Sequence, residues 1–432
     1  MSAREPALQD RSTRRTHLND RAEKIMGEAV AKKKPQLTGD LARLTEDHVT
    51  DILLRLPAKS VLRCRAVCKA WRDITSTPGF LSAHARLRPA DVVLYTYQYV
   101  SPARRHGGHF VDVGLDVVPV SSSDEAGRRR LIRYPKAGDW FLLASSDGVL
   151  LFKKNQEFFV LFNPTTGQWA ELPRLGLPQQ ERFNRSDREY AFYLDAPSGE
   201  FRLLCRRSMT GSGKWCILST GAAKPRHVDL HAAEAAGIIK LVSCLRTAKA
   251  PHVPLHGCLH WPPHRATVTG QTEMVVFDMS LETFHLMAGP PTTTCMLTKL
   301  FDMDGLLVTA DFGMMVKHVD LWFLEDYGTR RWELRHRVAS PWPSGYGIPG
   351  QPSQLLSVAA AGDKEGNIML GNNKGLGVYN VRTKTVKAID YYVATSDKDV
   401  LVSRHVFEES LVQQPGFVAA AQSSIDLSLL HF

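Results

Sequence analysis

The sequence predicts an α+β multidomain protein: a small three-helix domain followed by a large all-β, propeller-like domain of about six blades. Three observations carry this reading. Apolar residues between Leu44 and Ile74 recur at helical spacing, the apolar runs beyond Ala90 become short and rich in β-branched and aromatic residues, and a hairpin signal repeats through that second part. The 432 residues also exceed the length over which one core keeps growing, roughly 250 to 300 residues, so more than one domain is expected.

Composition narrows the class. Hydrophobic residues make up 44% of the chain and charged residues 23%, enough apolar surface for globular folding. No run approaches the roughly 18 apolar residues needed to cross a bilayer, and residues 1–40 lack a signal-peptide apolar core, so no membrane partner and a cytoplasmic or nuclear location are expected. Seven cysteines without a framework spacing fit reduced thiols, and no disulfide is predicted. The net charge of +10 is spread along the chain, its densest groups being Lys32-Lys33-Lys34, Arg104-Arg105 and Arg128-Arg129-Arg130. A nucleic-acid reader gathers its charge on one face with stacking aromatics or a motif, and neither is visible, so direct nucleic-acid binding is not expected.

Residues 1–40 carry few apolar side chains and many of both charges, the pattern of a flexible tail. A helical domain follows over residues 41–85. Thr45 is placed to cap, Glu46 and Asp47 complement the dipole of the first turn, and Val49, Ile52, Leu53 and Leu56 line one face as far as Pro57. A second helix runs from Ala58 through Val61, Leu62, Ala66 and Val67, with Cys64 and Cys68 on one face as small core hydrophobes. The third, around Trp71 and Ile74, is expected to stop at Pro78-Gly79.

The all-β domain is assigned to residues 90–412, with a C-terminal tail over residues 413–432 and a possible short helix near residues 231–241. An Asn or Asp ends an apolar run, and six residues later an aromatic or β-branched residue opens the next: Asn163 and Trp169, Asp195 and Phe201, Asp278 and Phe284, Asp326 and Trp332, Asn380 and Val386. The side-chain oxygen can bond the turn backbone, and Gly167 or Gly199 can take the left-handed conformation that closes a hairpin. Four of the five, with a looser member near Ser219, recur about every fifty residues, the length of a four-stranded blade. An open double-sheet sandwich is the alternative architecture.

Ile52-Leu53, Leu56-Pro57, Ser60, Leu62, Arg63-Cys64, Val67-Cys68-Lys69 and Trp71-Arg72 follow one another in the order and spacing of an F-box, and the helical segment resembles one. Asn163-Pro164-Thr165-Thr166-Gly167, Leu172-Pro173, His256-Gly257-Cys258-Leu259-His260-Trp261 and Glu409-Ser410-Leu411 are similar to the F-box-associated domain of plant F-box proteins. The resemblance implies a substrate-recognition adaptor of a Skp-cullin-F-box ubiquitin ligase. Its partners would be a Skp-type adaptor, through it a cullin and a RING subunit, and an unidentified protein substrate. On that resemblance Leu44, Ile52, Leu53, Leu56, Pro57, Ser60, Leu62, Val67 and Trp71 match the adaptor-binding positions. Thr45 stands where the family has Pro, and His48 where it has an apolar residue, which implies weaker docking at the start of the first helix.

Catalytic signatures are not found: there is no Gly-x-Ser-x-Gly elbow, P-loop or dinucleotide fingerprint. No catalytic residue, metal ligand or cofactor is assigned. A propeller-fold enzyme, or an F-box protein acting outside ubiquitylation, is the alternative reading. His256, Cys258 and His260 alternate as on a strand, which fits plain β-structure better than a metal site. Trp169 and Trp332 fall at the strand-opening position and are read as blade packing. Trp342 and Tyr346, in the Pro- and Gly-rich loop 340–352, are the candidate substrate contacts, since aromatic residues on propeller loops suit protein recognition.

Overall fold

The computed structural model describes residues 45–99, 110–121, 127–135, 140–154, 158–177, 189–206, 215–230, 233, 237–238, 252–266, 270–291, 298–312, 318–339, 358–372, 375–389 and 398–419. Among the described residues four helices come first: α1 (Glu46–Arg55), α2 (Ala58–Cys64), α3 (Lys69–Ser76) and α4 (Pro78–Leu87). The expectation of three helices is therefore corrected. Pro78 does not stop α3 but opens α4 at its first position, where a missing N–H costs nothing, and the Thr77 hydroxyl caps it by accepting from Phe80 N over 3.2 Å. Cys64 and Cys68 do not share a helix face either: α2 ends at Cys64, and Cys68 is the extended N-cap of α3, its sulfur facing Trp71 N.

Among the described residues the strands form six antiparallel sheets. Blade 1 holds Asp91–Tyr99, Phe110–Pro119 and Arg129–Pro135, and the C-terminal strand Lys398–Phe407 completes it beside Asp91–Tyr99. Blade 2 holds Trp140–Ser146, Val149–Lys154, Phe158–Asn163 and Gln168–Glu171. Blade 3 comprises Glu189–Asp195, Glu200–Arg206, Trp215–Ser219 and Arg226–Val228. In blade 4, Val253–Leu255, Cys258–His260, Thr272–Asp278 and Thr283–Ala288 pair in turn, and His264–Arg265 continues the second strand after an interruption at Trp261-Pro262-Pro263. Blade 5 is Thr298–Met303, Leu306–Asp311, His318–Asp326 and Arg331–Ala339; blade 6 is Val358–Gly362, Asn367–Asn372, Gly375–Asn380 and Thr385–Ile389. Beyond Val412, where a tail was expected, Val418–Ala419 adds a short strand outside Gln168–Glu171.

Closure of the ring follows from burial. Each pair of neighbouring blades shares its own apolar cluster, from Val93 and Leu115 against Phe152 and Phe162 between blades 1 and 2, to Met369 and Val378 against Val92 and Val400 between blades 6 and 1. The clusters between them join blades 2 and 3, 3 and 4, 4 and 5, and 5 and 6. A sandwich would bury its apolar side chains between two sheets; here every blade buries both faces against neighbours, as a closed propeller requires.

The repeated hairpin signal has one geometry. Asn163, Asp195, Asp278, Asp326 and Asn380 each accept from two or three donors within the turn through one side-chain oxygen, as Asn163 Oδ1 does from Thr165 N and Thr166 N at 2.9 and 3.2 Å. Four residues on, the chain is left-handed every time: Gly167, Gly199, Glu282, Arg330 and Lys384. Four of these hairpins join the third and fourth strands of blades 2, 4, 5 and 6, whereas Asp195 lies between the first two strands of blade 3. The blade 3 counterpart is the looser Ser219 turn, which explains why the spacing ran through Ser219. The chain divides into two compact units, Met1–Leu53 and Leu54–Phe432, so helices α2 to α4 belong to the same unit as the propeller.

Candidate functional site

Helix α1 begins with a reciprocal cap. Thr45 Oγ1 accepts from His48 N over 3.4 Å, and His48 Nδ1 accepts from Thr45 N over 3.3 Å and from the Thr45 hydroxyl over 2.7 Å. These roles require the neutral tautomer protonated on Nε2, with His48 doing at N3 what Glu or Gln does in a capping box. Along the helix Leu53 is buried, and Ile52 is 50% exposed.

Helices α2 and α3 present the other motif positions. Pro57 is exposed; Leu56, Ser60, Leu62 and Trp71 are half-buried; Val67, in the turn between the helices, is 66% exposed. The Leu56-Pro57 corner is held by its carbonyls. Leu56 O accepts from Arg88 Nη1 at 3.0 Å and faces His84 Nε2 at 3.0 Å, and Leu54 O accepts from Arg88 Nη2 at 2.9 Å. Fully buried His84 thereby has its proton on Nε2, and burial lowers its pKa. Ile52 and Val67 are large apolar groups left facing solvent. Leu44, Trp342 and Tyr346 lie outside the described residues.

Residues from the first strands of blades 2, 4, 5 and 6, together with His405, Val406 and Glu408 at the end of Lys398–Phe407, surround a cavity of about 230 Å³. Its wall includes Asp147, Asp302 and Glu408 as well as Lys299, His252 and His405. Burial raises the pKa of Asp147 and of Asp302. Glu408, open to the cavity but surrounded by protein, is pushed up to about 7 by burial, reinforced by the charges of Asp147 and Asp302. His252 donates toward Phe192 O at 2.7 Å, and burial lowers its pKa to about 4. The sequence reading missed this wall, although a signal existed: Asp147-Gly148 and Asp304-Gly305 are two-residue hairpin turns with both residues left-handed.

His256 shares that turn geometry with Gly257 and so does not alternate with Cys258 and His260 along a strand, correcting the reading of that trio. His260 is buried, with Nδ1 3.2 Å from Val253 O and Nε2 2.8 Å from the Tyr327 hydroxyl. Among the described residues no group of three His, Cys, Asp or Glu side chains is arranged to hold a metal ion. Trp169 is buried between blades 1 and 2, and Trp332, half-buried on the outer strand of blade 5, packs against the apolar cluster between blades 4 and 5, its Nε1 donating to Ala288 O at 3.1 Å.

Two family matches divide along this architecture. Residues 41–82 match the F-box domain, and residues 119–347, more than half of the chain, match the F-box associated beta propeller domain. The chain belongs to the plant F-box proteins with an associated β-propeller. This F-box protein is 24% identical over 321 residues to F-box protein CPR1 of Arabidopsis thaliana, covering 70% of this chain and 74% of that one. It is 22% identical over 326 residues to F-box protein At3g07870 of the same plant, covering 71% and 75%. Among solved structures, a chain of the nidogen/laminin complex aligns at a TM-score of 0.37 and 7% identity over 74% of this F-box protein and 99% of that chain, a score too low to bear on function.

Proposed function

We propose that this protein is the substrate-recognition subunit of a Skp-cullin-F-box ubiquitin ligase. The F-box docks on a Skp-type adaptor, which links it to the cullin and RING subunits, and the propeller captures a protein substrate. The observation that carries this is the exposure of Ile52 and Val67 at F-box motif positions: a solvated Ile and Val on so small a helical module are explained by a partner that covers them. Such an adaptor makes and breaks no bonds. It raises the effective concentration of a substrate lysine beside the loaded conjugating enzyme to about the mM range. The scattered cysteines support action in the cytoplasm or nucleus.

Affinity purification of the full chain from plant cells, beside a chain lacking residues 41–85, tests this. The adaptor, cullin and RING subunits are expected with the first alone, and one shared set of further proteins with both. Recovery of no ligase subunit with the full chain would overturn the proposal.

A further inference from the structure

Only Arg88, Pro89 and Ala90 separate α4 from the first strand of blade 1, and charged contacts tie the docking helices to the propeller around this link. The first amide of α2, Ala58 N, donates to Glu409 Oε2 over 3.1 Å. Pro57, at the N-cap of α2, has no side-chain oxygen to offer, so Glu409 supplies the missing acceptor from the far end of the chain. Glu409 Oε1 takes Arg129 Nη1 at 3.0 Å, and the other arm of that guanidinium holds buried Asp91 at 2.5 Å. At the other end of the helical set, Lys364 Nζ donates to Arg86 O over 2.6 Å, a cation near the negative end of α4.

Glu409 is itself anchored. The carbonyl of Ser410 accepts from buried Asn163 Nδ2 at 3.1 Å, and Gly148 leaves room for the backbone of residues 408–410. One carboxylate thus joins α2 to a segment fixed on blade 2 and, through Arg129, to blade 1.

We infer that Glu409 is a positioning residue, which holds α2 to α4 in one orientation on the propeller so that a captured protein is presented to the ligase at one geometry. This rests on the ligase reading above for its consequence, though not for its mechanics. An effective concentration depends on reach and angle, so a loosened joint lowers transfer without loss of any binding contact.

The test uses the full chain with spin labels, introduced as unnatural amino acids, at exposed Ser82 on α4 and exposed Leu281 on the blade 4 hairpin. Glu409→Ala is expected to broaden the distance distribution about twofold and, because it removes the α2 cap acceptor and one partner of Arg129, to lower the melting temperature modestly, while adaptor affinity stays close to wild type. A purely stabilising residue would lower the melting temperature as well but leave the folded distribution narrow. Glu409→Gln and Arg129→Ala each sever part of the joint and are expected to give intermediate widths; they carry the test if Glu409→Ala does not fold. An unbroadened distribution in the folded variants overturns the inference, whereas failure of the wild type to bind adaptor overturns the ligase reading and leaves the distance result standing.

Discussion

Thr45 and His48 cap helix α1 reciprocally, each side chain accepting the other's backbone N–H. These are the two positions at which the F-box pattern is broken, and the structure shows the departures to be complementary. A Pro at position 45 could offer neither an N–H nor a side-chain acceptor, and an apolar residue at 48 could not bond back. Thr45→Ala and His48→Ala should each destabilise the helix by about 1 kcal/mol, and the double variant by little more than one of them, because either change removes most of the exchange. His48→Gln should retain it. Hydrogen exchange across residues 46–50 reads the difference, and strict additivity would contradict the coupling.

The tryptophans separate by burial. Trp169, 7% exposed between two blades, should cost about 3 to 5 kcal/mol when changed to Ala. Trp332→Ala should cost about 1 to 2 kcal/mol, the scale of one hydrogen bond and a half-buried ring. Denaturant unfolding of the two variants tests this ranking; equal losses would mean that the outer strand of blade 5 is packed more tightly than its exposure indicates.

Two left-handed glycines in blade 2 differ in what surrounds them. A Cβ on Gly167 would meet nothing within 4 Å, so Gly167→Ala carries only the conformational cost, about 1 kcal/mol. On Gly148 it would lie 2.4 Å from Ser410 Cβ and 2.8 Å from Ser410 N. Gly148→Ala should therefore cost about 3 kcal/mol and shift the segment bearing Glu408 and Glu409. Thermal unfolding gives the order, and similar melting temperatures would exclude the close approach.

The cavity that Glu408 lines gives a pH dependence of defined sign. The folded-state pKa of Glu408, about 7, lies above its ordinary value of 4.5, so the folded protein binds this proton more tightly than the unfolded chain. Its contribution is favourable below the ordinary value and is lost as pH rises through about 7. Glu408→Gln should thus raise the melting temperature at pH 8 and leave it nearly unchanged at pH 4, where the wild-type carboxyl is protonated. His252, lowered to about 4, works the other way: its stabilising effect, present above pH 6.5, is lost as pH falls toward 4. An equal effect of Glu408→Gln at both pH values would rule out the ionised carboxylate as the cause.

The architecture was legible because it rests on local chemistry. An Asn or Asp four residues before a left-handed position marks a hairpin whichever blade holds it, and burial of both faces of each sheet turns such hairpins into a ring. What the sequence concealed was non-local or depended on context. Pro78-Gly79 reads equally as a stop or a start, and only Thr77 as a cap resolves it. Glu409 carries no sign that its carboxylate serves an amide 351 residues away. The strand alternation of His256, Cys258 and His260 failed because a non-glycine residue occupies a left-handed turn position, as Glu282, Arg330 and Lys384 also do.

On the proposed function, Ile52 and Val67 of the F-box are covered by a Skp-type adaptor. Titration calorimetry of the purified full chain with that adaptor decides this, comparing wild type with Ile52→Asp, Val67→Asp and their combination. Because both side chains already face solvent, the variants should keep the wild-type melting temperature while affinity falls at least about a hundredfold in the double variant, the loss expected from a charge on each of two central apolar contacts. Undiminished affinity in the folded double variant would mean that the adaptor does not cover Ile52 and Val67.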